Sequence, residues 1–188
     1  MLGKRALVFL LLSVVLIVFF TATAATQPVS TDPAVLKAIA EARQAIAKYS
    51  DVSIALGDGY LPASMCEENM GMHYVNFALA LDLTVSELMP DMLLYVPIEN
   101  GFRLVGVEYF GVAQGMVPLG SPGPLYTLTQ PDGWVWVTTP PTVFGQTMGE
   151  PMHPHGPGMP WHYDLHVWLW ESNPDGIFTP YNPNVSCD

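Results

Sequence analysis

The segment Trp161–Trp170, with the sequence WHYDLHVWLW, places two histidines and an aspartate in an otherwise apolar stretch. Imidazole and carboxylate groups bind metal ions and transfer protons, so these residue types indicate chemistry. The β-branched and aromatic content, with Pro160 before the segment and an Asn-Pro-Asp-Gly turn after it, favours a strand over a helix. On a strand, alternate residues share one face, which here gives His162, Asp164, His166, Trp168 and Trp170.

The strand prediction separates the two histidines. Four residues of strand span about 13 Å, so His162 and His166 do not reach one ion together at about 2 Å each. His166 is the stronger candidate because it lies deeper in the apolar run. Asp164 and His162 are alternatives that either support a neighbouring ligand or replace one.

Two further residues are candidates to complete a site with His166. His73 lies in GMHYVN, and Glu108 interrupts the apolar segment LVGVEYF. Two imidazoles and one carboxylate with open coordination positions suit zinc, copper or iron, and leave room for water or substrate. We therefore predict a metal site or small-ligand pocket formed by His73, Glu108 and His166 and lined by Trp168 and Trp170.

Other interpretations of the same residues stay open. A histidine in an apolar strand is often a hydrogen-bonded core residue, and Glu108 could pair with Arg103 or with a histidine. A metal-free enzyme that uses a His/carboxylate pair for acid–base chemistry is a second alternative, in which burial raises the pKa of Glu108. A structural or partner-binding exported protein is a third.

A second group lies in MGEPMHPHGPGMPWH, where Met152, His153, His155 and Met159 crowd a loop rich in proline and glycine. Thioethers together with imidazoles suit copper. The alternative is a loop whose methionines cover a hydrophobic opening, because prolines set turns without any metal.

The pattern of elements predicts an α+β fold, with a long N-terminal helix packed on a curved antiparallel sheet of four to six strands. Asp32 and Pro33 suit the N-cap and first position of a helix that runs to Gly57. Residues 92–98 and 102–112 predict a hairpin, whose second strand places Leu104, Gly106, Glu108 and Phe110 on one face. The chain before and around His73 is predicted to be irregular or weakly helical, so that Cys66 and His73 lie on connecting chain. Long Gly/Pro-rich loops cover 111–133 and 139–161.

The N-terminus predicts export. A short basic start, an apolar run and small residues before Ala24 are typical of a secretory signal peptide, so we expect residues 1–25 to be a leader and 26–188 to be one secreted or periplasmic domain. The chain has 6 basic and 17 acidic residues, net −11, and loss of Lys4 and Arg5 leaves −13. Such a charge disfavours nucleic acid as a partner, and also membrane surfaces unless the leader stays uncleaved.

The two cysteines, Cys66 and Cys187, lie far apart in the sequence. In an oxidising compartment they predict one disulfide that ties the C-terminus to the early part of the chain. Two separate thiolate ligands remain the alternative. Motifs of serine hydrolases, P-loop proteins and dinucleotide-binding proteins do not occur.

The motifs MGMHYVN, PDMLLYVP, RLVGVEYF, PPTVFGQ, LHVWLWESNPDGIF and YNPNVSC resemble those of a family of small exported bacterial proteins with no assigned function. The likeness covers most of the chain after the leader. It implies a bacterial periplasmic or secreted protein and supports the pairing of Cys66 with Cys187. It implies no activity, and it is weakest over residues 152–155, which favours His73, Glu108 and His166 over the copper loop.

Overall fold

The structure, a computed structural model, describes residues 32–113, 116–118, 134–136, 139–156 and 158–188. The predicted signal peptide, residues 1–25, lies outside these residues, as does most of the first Gly/Pro-rich loop. None of the helices in the described ranges has the length and apolarity needed to cross a bilayer.

The N-terminal helical region consists of three short pieces. Helix α1 spans Pro33–Ile46 and begins at the predicted N-cap, where the Asp32 carboxylate accepts a hydrogen bond from the Ala34 N–H. A 3₁₀ turn over Ala47–Ser50 follows, and α2 spans Val52–Gly57. One long helix to Gly57 is therefore not shown, because Asp51 takes an extended conformation and its side chain caps α2.

The main sheet has five strands and is antiparallel throughout, which confirms the predicted α+β class. Its strands, in the order β1-β2-β3-β4-β9, are β1 (Leu61–Pro62), β2 (Met72–Val75), β3 (Met92–Ile98), β4 (Gly101–Val112) and β9 (His162–Val167). Two small ladders pair β5 (Met116–Pro118) with β6 (Trp134–Trp136), and β7 (Thr142–Val143) with β8 (Gln146–Thr147). A short helix, α3 (Phe77–Ala80), follows β2.

Two strand boundaries differ from the sequence prediction. His73 lies on β2, where it is the Cα partner of Leu94, and so the prediction of irregular chain around it was wrong. Strand β9 ends at Val167, because the Trp168 N–H bonds to the Ile177 carbonyl instead of continuing the ladder. Trp168 and Trp170 therefore follow the strand.

A β-bulge changes the face assignment of β4. Leu94 pairs with Gly106 but Tyr95 pairs with Leu104, so Val105 is an extra residue in β4. Leu104 consequently packs with the main core, and Val105 packs with Leu94 on the opposite face. The prediction that Leu104 shares a face with Glu108 was wrong for this reason.

The sheet has a large core on one face and two small apolar clusters on the other. On the back face, β3, β4 and β9 pack against the helical region, and the Tyr95 hydroxyl donates to the Tyr49 carbonyl at 2.6 Å. The front-face clusters are Leu94, Val96, Val105, Trp168 and Val185, and Val75, Ala80, Met92 and Phe110. Strand alternation places His73, Glu108 and His166 on this front face too.

The disulfide joins Cys66 to Cys187, with Cα atoms 5.8 Å apart and a sequence separation of 121. This pairing confirms the prediction and removes the alternative of two thiolate ligands. The C-terminal segment is also bound through its backbone, since the Asn69 N–H donates to the Val185 carbonyl and the Asn182 N–H donates to the Asn69 carbonyl. A disulfide indicates an oxidising, extracellular compartment.

We predict that Gly71→Ala destabilises the protein by about 2 kcal/mol or more. Gly71 has φ +89°, and a Cβ there would lie 2.6 Å from the Tyr95 carbonyl oxygen. Urea denaturation followed by circular dichroism measures the loss. Gly57→Ala is the matched control, because it ends α2 with no heavy atom within 4 Å of the new Cβ. An equal effect of both substitutions would contradict the description of the β2–β3 contact.

Candidate metal centre

Three of the predicted residues converge on the front face of the sheet. Glu108 on β4 is the Cα partner of His166 on β9. His73 approaches from β2, on the far side of β3. One ligand atom from each of the three lies within 4.8 Å of the other two. In the described part of the chain, they are the only group of three His, Cys, Asp or Glu residues with this spacing.

The carboxylate of Glu108 lies between the two imidazoles. Its Oε2 is 3.1 Å from His73 Nε2 and 3.7 Å from His166 Nε2. The side chains of Glu108 and His166 are only 6% and 4% exposed, whereas that of His73 is 16% exposed. His73 is therefore the member of the group that water reaches most easily.

Three buried polar atoms of this group lack hydrogen-bond partners among the described residues. Glu108 Oε2 and both ring nitrogens of His166 have none among the described residues. The 3.1 Å approach of His73 Nε2 to Glu108 is a close charge contact that lacks the alignment of a hydrogen bond. A buried unsatisfied polar group costs about 1–3 kcal/mol, so the apolar sheet supports three such atoms at a substantial cost.

Ser64 holds His73 in place. The Ser64 hydroxyl oxygen accepts the His73 backbone N–H at 3.0 Å and lies 3.1 Å from His73 Nδ1. Ser64 thereby fixes the ring with Nε2 facing Glu108, whose carboxylate favours a proton on that nitrogen. Supporting hydrogen bonds of this kind set the tautomer of metal-binding histidines. Sequence reasoning missed Ser64, because no pattern in its segment marks it.

Trp168 supports His166 through ring packing. The two rings are stacked, with centroids 6.1 Å apart and an interplanar angle of 20°. The Trp168 indole N–H donates to the Thr179 carbonyl at 2.7 Å, which fixes the ring. Trp170 instead packs against the main core on the back face. The two tryptophans thus do not lie together beside the site.

Electrostatics favour a negatively charged Glu108. Burial raises the pKa of Glu108, but the nearby His166 and His73 outweigh burial and lower it to about 2. The sequence-based expectation that burial raises the pKa of Glu108 was therefore wrong in its net direction. The predicted alternative partner, Arg103, pairs with Glu171 instead.

The two histidines shift in opposite directions. Burial lowers the pKa of His73, but the Glu108 carboxylate more than offsets this, and the net pKa is raised. For His166, burial is the largest influence and the net pKa is lowered, which favours neutral imidazole. Metal ions bind neutral imidazole, so a metal ion at this site would displace the proton that Glu108 favours on His73, whereas His166 is already favoured in its neutral form.

Asp164 and His162 share the front face but do not join the group of three. Asp164 is the Cα partner of Phe110, and burial together with the charge of Glu108 raises its pKa to about 7. His162 stacks on Phe110 with ring centroids 4.6 Å apart, and its Nδ1–H donates to the Pro160 carbonyl at 2.9 Å. His162 therefore has the hydrogen bond of an ordinary core histidine.

The four residues of the predicted copper loop lie in different environments. Met152 pairs through its backbone with His162 at the outer edge of β9. His153 and His155 are exposed, and Met159 packs against the Val75, Met92 and Phe110 cluster. Among the described residues, this loop contributes no member to the group of three His, Cys, Asp or Glu residues with metal-binding spacing.

An apolar cavity of about 170 Å³ adjoins the site on the front face. Val75, Met92 and Phe110 form its sheet side, and Ala80 and Leu81 contribute from the end of α3. The sequence analysis missed this cavity. The available signal was Asn76, whose side chain accepts hydrogen bonds from the Ala78 and Leu79 N–H groups and starts the short helix.

No protein-family model matches the chain, and comparisons with curated proteins and with solved structures find no match either. The resemblance to small exported bacterial proteins therefore stays a prediction. What the site does has to be inferred from its own atoms.

We predict that Glu108→Gln lowers the pKa of His73. The negative charge of Glu108 favours the imidazolium form of His73, so its removal leaves burial as the main influence and disfavours that form. Titration of the His73 ring protons by NMR measures the shift. Glu99→Gln, in the exposed β3–β4 turn, is the control and should leave the His73 titration unchanged. An unchanged His73 pKa in Glu108→Gln would contradict the described contact.

Proposed function

We propose that this protein binds one divalent transition-metal ion, zinc, copper or iron, through His73, Glu108 and His166. The observation that carries the proposal is the convergence of three buried ligand atoms within 4.8 Å of one another. Small-ligand binding at the remaining coordination position is the function that this site would serve.

The spacing of the ligand atoms suits a metal ion. Ligand atoms about 2 Å from a tetrahedral ion lie about 3.3 Å from one another. The two separations from Glu108 Oε2, 3.1 Å to His73 Nε2 and 3.7 Å to His166 Nε2, lie on either side of that value. Small side-chain rotations would therefore bring the three atoms around one ion.

A metal ion would also resolve the unfavourable features of the site. Glu108 carries a negative charge in an apolar environment, and an uncompensated buried charge is strongly destabilising once His73 is in the neutral form that binds a metal. A divalent cation would neutralise it and give Glu108 Oε2 and one His166 nitrogen the partners that they lack among the described residues. Ser64 would support His73 as a ligand.

Three protein ligands leave at least one coordination position open. In such sites the metal acts as a Lewis acid or lowers the pKa of a bound water. Glu108, His73 and His166 would hold the ion, and the neighbouring apolar clusters would limit water around it. Titration with zinc, copper and ferrous iron distinguishes between these three metals.

We further propose that the protein is exported to the periplasm or the outside of a bacterial cell. The disulfide supports an oxidising compartment, and the predicted leader and the family resemblance point the same way. The acidic surface supports a cation or small molecule as the partner, in place of nucleic acid or a membrane.

A second candidate function is metal-free acid–base catalysis by His73 and Glu108. The 3.1 Å contact and the raised pKa of His73 favour it, with His73 as the acid and Glu108 as the base. Activity that survives a chelator and is lost in Glu108→Gln would select this function over metal binding.

We predict that the purified wild-type protein binds one ion per chain. His73→Ala, Glu108→Gln and His166→Ala should each weaken binding by more than about 100-fold, because even a residue that only supports a ligand accounts for roughly 10- to 100-fold. Ser64→Ala should weaken binding within that smaller range. Isothermal titration with zinc, copper and ferrous iron measures affinity, and mass spectrometry measures the metal content.

His153→Ala and His155→Ala are the matched controls, because both histidines are exposed on the neighbouring loop. They should bind metal as the wild type does. Absence of binding in the folded wild-type protein with all three metals would contradict the proposal. Loss of binding in the loop variants alone would place the metal on the loop instead.

A further inference from the structure

The apolar cavity beside the metal site has the size of a small organic ring. Its volume is about 170 Å³, and all eleven lining residues are apolar side chains, glycine or proline. An enclosed cavity of about 150 Å³ with aliphatic and aromatic walls binds benzene. This cavity is similar in size and lining but opens to solvent beside Phe77 and Leu81, so an apolar ring that enters it would displace water that has few polar partners.

The walls of the cavity suit an aromatic molecule in particular. Two methionines line it, Met92 on the sheet and Met159 on the loop. Methionine side chains are flexible, and their sulfur atoms make favourable contacts with aromatic rings. The opening is also apolar, since Phe77 and Leu81 line the cavity and are 54% and 55% exposed.

The cavity and the metal site share the same stretch of sheet. Met92 lines the cavity and is the Cα partner of Glu108. Val75 and Phe110 also line it, and each lies two residues along its strand from His73 or Glu108. Two residues of strand span about 7 Å, so a ring in the cavity needs only one short substituent to reach the site.

Charge indicates what that substituent is. Glu108 contributes one negative charge, so the site with a divalent ion and two neutral imidazoles carries a net charge of about +1. Such a centre attracts an anionic group, and the same centre without metal repels it.

We propose that the cavity and the metal site together bind a small aromatic molecule that carries one anionic metal-binding group, such as a carboxylate. The ring lies against Val75, Met92 and Phe110, and the anionic group occupies the open coordination position. This inference rests on the proposed metal site for the anionic group, whereas the ring-binding cavity stands independently of the metal.

Toluene tests the cavity alone. We expect the metal-free wild-type protein to bind toluene, observed by NMR shifts of the methyl groups of Val75, Ala80 and Leu81. Ala80→Leu, which fills the cavity, should weaken toluene binding by about tenfold or more while zinc binding is retained. Ala78→Leu is the matched control, because Ala78 lies on the same helix but is exposed and does not line the cavity. Absence of toluene binding, or equal binding in both variants, would overturn the cavity assignment.

Phenylacetate tests the connection to the metal. The zinc-loaded protein should bind phenylacetate at least about tenfold more tightly than it binds acetate, and the metal-free protein should bind phenylacetate weakly. If the zinc-loaded and metal-free forms bind phenylacetate with equal affinity, the proposed ligand class is wrong, even where the protein binds toluene as expected. If the metal proposal is wrong, zinc titration of the wild type shows no binding, whereas the toluene result is unaffected. The two failures are therefore distinguishable.

Discussion

The buried negative charge of Glu108 is the interaction on which the front face of the sheet depends. A carboxylate in an apolar environment is tolerated only where opposite charge or hydrogen-bond donors surround it. Here the two imidazoles of His73 and His166 approach it from strands that lie on either side of β4, and together they keep its pKa low. Glu108 Oε2 and both ring nitrogens of His166 have no hydrogen-bond partner among the described residues, so the protein part of the site is electrostatically incomplete.

Packing on the back face of the sheet and two apolar clusters on its front face hold His73, Glu108 and His166 in place. The back face packs against the helical region through the large core, and in the described part of the chain the short α3 is the only helix on the front face. On the front face, the cluster with Trp168 stacks against His166, and the cluster with Met92 and Phe110 borders Glu108. The C-terminal segment completes the first cluster through Val185, and the disulfide keeps that segment attached. The apolar clusters thus raise the cost of an uncompensated charge and strengthen any interaction that compensates it.

Part of this arrangement was predictable from the sequence because it depends on local patterns. Alternation in strands gave the shared faces of His162, Asp164 and His166, and the Asn100-Gly101 turn gave the hairpin that carries Glu108. The N-cap at Asp32 followed from residue type and spacing. Only the register of β4 against β9 shows that Glu108 lies opposite His166. The one hint in the sequence was that each of these apolar strands contains polar residues, which are rare there.

Other parts depend on tertiary contacts that leave no local pattern. The bulge at Val105 moves Leu104 to the back face, and only the register of β3 against β4 reveals it. The break between α1 and α2 depends on Asp51 acting as a cap. Ser64 contacts His73 because the residues beside β1 pair with β2. The cavity requires α3 and the 156–160 loop to meet over the sheet.

Metal binding at Glu108 is tested most directly by the anomalous scattering of crystals grown with zinc, recorded at the zinc absorption edge. We expect one strong peak per chain, about 2 Å from Glu108 Oε2, His73 Nε2 and one ring nitrogen of His166. A peak beside His153 and His155 with none at Glu108, or no ordered peak at full zinc saturation, would contradict metal binding at Glu108.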